Sequence, residues 1–153
     1  MNTPSGAQPS GTTLAFDYGA RRIGVAVGDC ALATASGLTT LTARKGEADW
    51  AALDALIVEW HPSTLVVGLP HHVDGNESTM GAQVRVFAAA LETRYKLPVE
   101  LVDESLSSRA ANAELRRMRR SGMLRRRVVR GDTDRIAARL ILEAWMARNS
   151  ATE

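Results

Sequence analysis

Cysteine is nearly missing. Cys30 stands alone among 153 residues, which excludes a disulfide framework and a cysteine-built zinc site. Long apolar runs are missing too: no stretch approaches the roughly 18 residues that a membrane helix requires. The first dozen residues, rich in Ser, Thr, Pro and Gly, lack the apolar middle of a signal peptide. Residues 1–12 therefore read as a disordered tail, and residues 13–149 as a single domain of a cytoplasmic chain with no membrane partner. Aromatic residues make up only 5%, yet 45% of the chain is hydrophobic, enough for a real core at this length. There is no internal repeat and no interdomain linker.

Lysine is missing where positive charge gathers. Residues 109–130 hold nine arginines and one acid, Glu114, a net of +8, so the rest of the chain carries −6 within a whole-chain +2. A block of like charge is often just a solvated face. An all-arginine block, however, offers planar guanidinium forks that suit phosphate, which favours contact with nucleic acid. The candidate contacts are Arg116, Arg117, Arg119, Arg120, Arg125, Arg126 and Arg127, together with Arg21 and Arg22. Residues 121–131 show little periodicity and read as a flexible basic loop.

What is present is organised around residues 14–29. An apolar run arrives at Asp17, turns on Gly19, and leaves with Ile23, Val25 and Val27 alternating with Gly24, Ala26 and Gly28. Period-2 alternation with that turn chemistry predicts a β-hairpin. A carboxylate at the end of a buried strand is costly unless a cation or donors meet it, so Asp17 is a candidate metal ligand. The small residues leave room either for a polynucleotide or for a closely packed helix.

Further along, residues 31–41 suggest a third, weaker strand. Residues 47–60 carry Trp50, Leu53, Leu56, Ile57 and Trp60 as one stripe of an amphipathic helix, read as core. Pro62 ends it, because the residue before proline avoids the helical region. Residues 65–69 are unalternating and β-branched, as in a central strand covered on both faces. They lead to His71 and His72, in a loop where ligands of open α/β sheets gather, although adjacent loop histidines are commonly only solvated. A helix over 76–95, a strand over 99–102 ending on Asp103 and Glu104, and a helix over 106–120 follow. In the last helix, 133–148, a turn of about 100° per residue places Asp134 with Ala138, Ile141 and Trp145. Asp132 falls with Arg139 and Glu143 on the polar side, where it can act as an N-terminal cap.

The expected fold is α/β: a five-stranded mixed sheet of three leading antiparallel strands and then parallel βα units, flanked by helices. If the strands that carry Asp17 and Glu104 are neighbours, Asp17, Glu104 and Asp134 approach one end of that sheet. Clustered carboxylates stay ionised together only around cations, and hard oxygen donors suit Mg²⁺ or Mn²⁺. Two such ions about 4 Å apart can activate a water and stabilise the leaving oxygen of a phosphodiester. The arginine segment would neutralise phosphates nearby. The three acids are the candidate catalytic and metal-binding residues.

Four motifs in order then resemble a known family. They are Phe16, Asp17, Tyr18 and Gly19 with residues 23–28; Val67, Gly68, Leu69 and Pro70 with Asp74 and Gly75; Val102, Asp103 and Glu104 with Leu106 and Ser107; and Asp134 to Ala138 with Ile141 and Leu142. Together they are similar to the YqgF (RuvX) family, across roughly residues 14–146. The resemblance implies a ribonuclease H-like fold related to Holliday-junction resolvases. It also implies a metal-dependent nuclease that trims the 5′ end of precursor 16S ribosomal RNA, with branched DNA as the alternative substrate. Its catalytic residues carry over to Asp17, Glu104 and Asp134. Ser105 and Asp132 stand where the family often has basic residues, and neither removes a carboxylate. Resolvases cut two strands symmetrically as dimers. No dimer-forming seam is evident here, so a monomer or weak homodimer is expected, acting on RNA that can lie within a ribosomal particle. Two other readings compete. Asp17, Gly19 and Gly24 resemble the phosphate loop of actin-like sugar kinases, but those need two such domains. A binding module that no longer cuts would lack a carboxylate, and none is missing.

Overall fold

In this computed structural model, the described residues are 11–19, 21–45, 47–69, 79–103 and 130–151. Strand β1 (Thr12–Tyr18) pairs antiparallel with β2 (Arg22–Asp29), placing Phe16 opposite Val25 and Asp17 opposite Gly24. Successive side chains leave opposite faces of a strand. Leu14, Phe16, Tyr18, Ile23 and Val25 therefore join one core, while Ala15 and Ala26 join another across the sheet. The expected hairpin is present.

The third strand, β3 (Thr34–Arg44), pairs antiparallel with β2 through an irregularity at Val25 and Ala26. It starts later than residue 31, because the Asp29 carboxylate accepts the N–H groups of Ala31 and Leu32 and closes a turn there. A short β4 (Glu47–Ala48) pairs with Arg44 and Ala43 of β3. Helix α1 (Trp50–Trp60) follows, capped by the Asp49 side chain, which accepts the Ala52 N–H. Two expectations change here. The helix begins at residue 50 rather than 47, and the sheet has six strands rather than five, because Glu47 and Ala48 extend a strand before the cap turns the chain.

Strand β5 (Thr64–Leu69) lies parallel to β1, and β6 (Val99–Asp103) lies parallel to β5. Helix α2 (Thr79–Tyr95) connects them, and α3 (Arg130–Ala151) closes the described chain. The strand order is β4-β3-β2-β1-β5-β6. The leading antiparallel strands and the parallel units are as expected, but β1 and β6 are not neighbours. Strand β5 separates them, because its β-branched run pairs with both. The helix expected over 106–120 and the basic loop up to residue 129 lie outside the described residues. Helix α3 starts at Arg130 rather than 133, and the capping expected of the Asp132 side chain lies outside what is described.

One core packs α1 and α2 against the larger side chains, with Leu53 and Leu91 fully buried. Trp50 and Trp60 are partly buried against this core, as the helical stripe predicts. Among the described residues, the other core packs α3: Ala138, Ile141, Leu142 and Trp145 are fully buried against Ala15, Ala26 and Val66. Full burial of a side chain such as Ile141 or Leu142 contributes about 1.5–3 kcal/mol.

Candidate active site

Asp17 sits between Phe16 and Tyr18, both of which are buried on the α1/α2 side. Their rings hold the strand in place. The Phe87 ring lies 5.9 Å from Phe16, edge-on, and 4.9 Å from Tyr18. Alternation then sends Asp17 to the opposite, α3 side, where it is half-buried. Burial raises the Tyr18 phenol above its ordinary pKa, and the charge of Glu47 adds to this, so the ring is neutral beside the site.

Asp134 reaches the same place by a tertiary route. Helix α3 crosses β2 at Gly24, where an added Cβ would overlap the carbonyl oxygen of Asp134 and stand 3.0 Å from its Cβ. An added Cβ at Gly28 would stand 2.8 Å from Leu142 Cδ2 and 2.9 Å from Met146 Cε. The small face of β2 is therefore the seat of a helix, which decides between the two uses that the sequence left open. Since Gly24 is the register partner of Asp17, seating α3 there brings Asp134 beside Asp17. The two carboxylates line one cleft of about 300 Å³, together with Tyr18, Gly19, Arg21 and Arg22.

Arg22 lies inside this cleft, with its Nε donating to Asp134 Oδ2 at 2.7 Å. The sequence marked it only as a candidate backbone contact. Its other signal was its position two residues before Gly24, which puts it on the same face. Arg21 is exposed at the rim, and its carbonyl accepts the Ala43 N–H at 2.8 Å.

The third candidate, Glu104, lies outside the described residues, as do His71, His72, Arg116, Arg117, Arg119, Arg120, Arg125, Arg126 and Arg127. Strand register is described up to Asp103. Phe16, Val67 and Leu101 share one row, so Asp17, Gly68 and Val102 share the next. Glu104 follows Val102 by two residues. Two strand spacings separate Asp17 from Val102, roughly 10 Å, and the residue between them, Gly68, has no side chain. Among the described residues no group of three acids, histidines or cysteines is placed to hold a metal ion. The donor set that is described, two carboxylates with a guanidinium on one of them, fits a hard divalent cation.

Residues 11–148 match the RuvX family, described as Holliday junction resolvase. The chain belongs to the RuvX family. Among its relatives is a Chromohalobacter salexigens protein carrying the name "Putative pre-16S rRNA nuclease", 47% identical over 134 residues that make up 88% of each chain. A Pseudomonas putida protein of the same name is 44% identical over 137 residues, 90% of this chain and 95% of that one. Among solved structures, Thermus thermophilus RuvC in complex with a Holliday junction substrate superposes with a TM-score of 0.59 at 14% identity, covering 92% of this chain and 96% of that one. The yeast mitochondrial Holliday junction resolvase gives 0.56 at 13% identity, covering 95% and 82%. At such low identity these two establish the fold, which is the ribonuclease H-like α/β architecture expected from the motifs. Among the described residues no helix is long and apolar enough to cross a membrane.

Proposed function

We propose that this RuvX-family enzyme is a divalent-metal-dependent nuclease that processes the 5′ end of precursor 16S rRNA, with Asp17, Glu104 and Asp134 as its metal-binding catalytic carboxylates. The observation that carries the site is the convergence of Asp17 and Asp134 on one cleft where β1 ends and β2 begins. Hydrolysis of phosphodiester bonds is the reaction class of the family and of its named relatives. The choice of RNA rests on those relatives' names, and Mg²⁺ or Mn²⁺ on the oxygen donors.

The chain's own residues divide the work. Asp17, held by the rings on either side of it, and Asp134, seated on Gly24, would hold the metal, with Glu104 as the third donor. A divalent ion bound there supplies an activated water and charge stabilisation for the leaving oxygen. Arg21 at the rim, with the arginines of residues 109–130, neutralises backbone phosphates and sets the strand's path. The single-domain reading over 13–149, the tail over 1–12 and the flexible basic loop over 121–131 belong to this proposal, as do a cytoplasmic setting and a substrate presented within a ribosomal particle.

The family description favours a second reading, cleavage of four-way DNA. One experiment separates the two: purified full-length protein is incubated with end-labelled precursor 16S rRNA or a four-way junction, in Mg²⁺, Mn²⁺ or chelator. Shortening of the RNA at its 5′ end with metal, and none in chelator, is the expected outcome. Cutting of the junction alone transfers the site to the second reading, and no cutting of either substrate rejects the proposal.

A further inference from the structure

Two carboxylates lining one cleft repel each other, and a cationic side chain beside them relieves that repulsion. Arg22 supplies that charge. It opens β2 with its backbone paired to Thr42 of β3, so the base of its side chain is fixed by a strand ladder. Its Nε–Asp134 Oδ2 bond is 2.7 Å, between side chains 36% and 20% exposed. A charge-assisted bond of that length between partly buried groups holds the carboxylate in one orientation. Asp134 is fixed at its other end by the seat of α3 on Gly24. A carboxylate has two oxygens, so an arginine on Oδ2 is compatible with a cation on Oδ1.

We propose that Arg22 is a positioning residue that acts on the metal site through Asp134, rather than a phosphate contact. This rests on the metal-site reading above. Two effects oppose each other when Arg22 is removed. Loss of a nearby positive charge favours a divalent ion, whereas loss of the bond frees the Asp134 side chain. The guanidinium is more than a third exposed, so solvent and salt weaken the repulsion. Loss of an outer-shell partner of a metal ligand costs about 10–100-fold in metal affinity. Positioning therefore outweighs repulsion.

The test is calorimetric titration of Mn²⁺ into metal-free, full-length protein without nucleic acid. Arg22→Leu should bind Mn²⁺ at least about tenfold more weakly than wild type. Arg22→Lys keeps the charge but not the fork and should fall in between. In an Asp134→Asn background, Arg22→Leu should weaken Mn²⁺ no further, because the route runs through that carboxylate. The salt slope of RNA binding in chelator should match wild type, whereas a lost phosphate contact lowers it by about one.

Unchanged or tighter Mn²⁺ binding in folded Arg22→Leu overturns the proposal, as does an equal loss in both backgrounds. Should Arg22→Leu fail to fold in a thermal melt, wild-type affinity in Arg22→Lys overturns it instead. Asp17→Asn separates the two layers. If it loses Mn²⁺ while Arg22→Leu keeps it, only the role of Arg22 falls. If Asp17→Asn binds as wild type does, the metal-site reading falls and the inference with it.

Discussion

On the face covered by α1 and α2, strands β1 and β2 present Leu14, Phe16, Tyr18, Ile23 and Val25. On the face covered by α3, the same strands present Ala15, Asp17, Gly24, Ala26 and Gly28. Large side chains hold helices away from a sheet and fill the gap with ring and aliphatic contacts. Small ones let a helix backbone touch the strand. The first face is accordingly a thick core with a surface staple, in which Arg94 donates to both oxygens of Asp54 at 2.9 and 2.8 Å and the Tyr95 hydroxyl donates at 2.6 Å. The second is thin and brings a helix-borne carboxylate beside a strand-borne one. The first face also has a hollow of about 350 Å³, lined by Tyr18, Trp50 and Phe87, where Glu47 is the one carboxylate among the described residues. The proposed site is instead the cleft that Asp17 and Asp134 share.

The contrast is sharpest at Asp17. Asp17→Asn should remove several kcal/mol of transition-state stabilisation, roughly a thousandfold in metal-dependent cleavage. Its melting temperature should stay near wild type, and full activity in this variant would break the assignment.

Next come two substitutions of similar thermodynamic size on opposite faces. Leu53→Ala empties a fully buried position under α1 and should cost about 2–5 kcal/mol in denaturant unfolding. Mn²⁺ affinity and cleavage by the folded protein should stay at wild-type level. Gly24→Ala forces α3 off its seat and should cost about 1–3 kcal/mol by over-packing. Here Mn²⁺ affinity should fall too, because Asp134 moves with the helix. If Leu53→Ala lowered metal affinity as much as Gly24→Ala did, the two faces would not be separable.

The smallest effect belongs to the staple. Hydrogen bonds from Arg94 and then Tyr95 hold Asp54 down to about 2. A folded pKa below the unfolded one contributes stability that is fully present above the unfolded value of 3.8 and is lost as pH falls towards 2. Acid unfolding of wild type should show that loss between those values, and Asp54→Asn should show a flatter profile. Cleavage by Asp54→Asn at neutral pH should be unaltered, since the staple lies on the face away from the carboxylates.

Much of this was legible along the chain. The alternation of residues 23–28 predicted the hairpin, and the Trp50 to Trp60 stripe predicted a core-facing helix. The helical angle that groups Asp134 with Ala138, Ile141 and Trp145 matches the stripe α3 buries. The additional strand was not legible. Glu47 and Ala48 fit a helix start by composition, and only the cap at Asp49 together with pairing to β3 assigns them to the sheet.

Local periodicity thus determined which residues share a face, because a strand repeats every two residues and a helix every 3.6, whatever surrounds them. It also supplied the carboxylates and arginines as chemical types. Strand order was not local. The placement of β5 between β1 and β6, with Gly68 in the row that joins Asp17 to Val102, depends on pairing between segments tens of residues apart. The seat of α3 on Gly24 and the bond from Arg22 to Asp134 span more than a hundred residues. Only a folded chain can choose such partners, because many small faces could take a helix and many arginines could take a carboxylate, and close packing admits one combination.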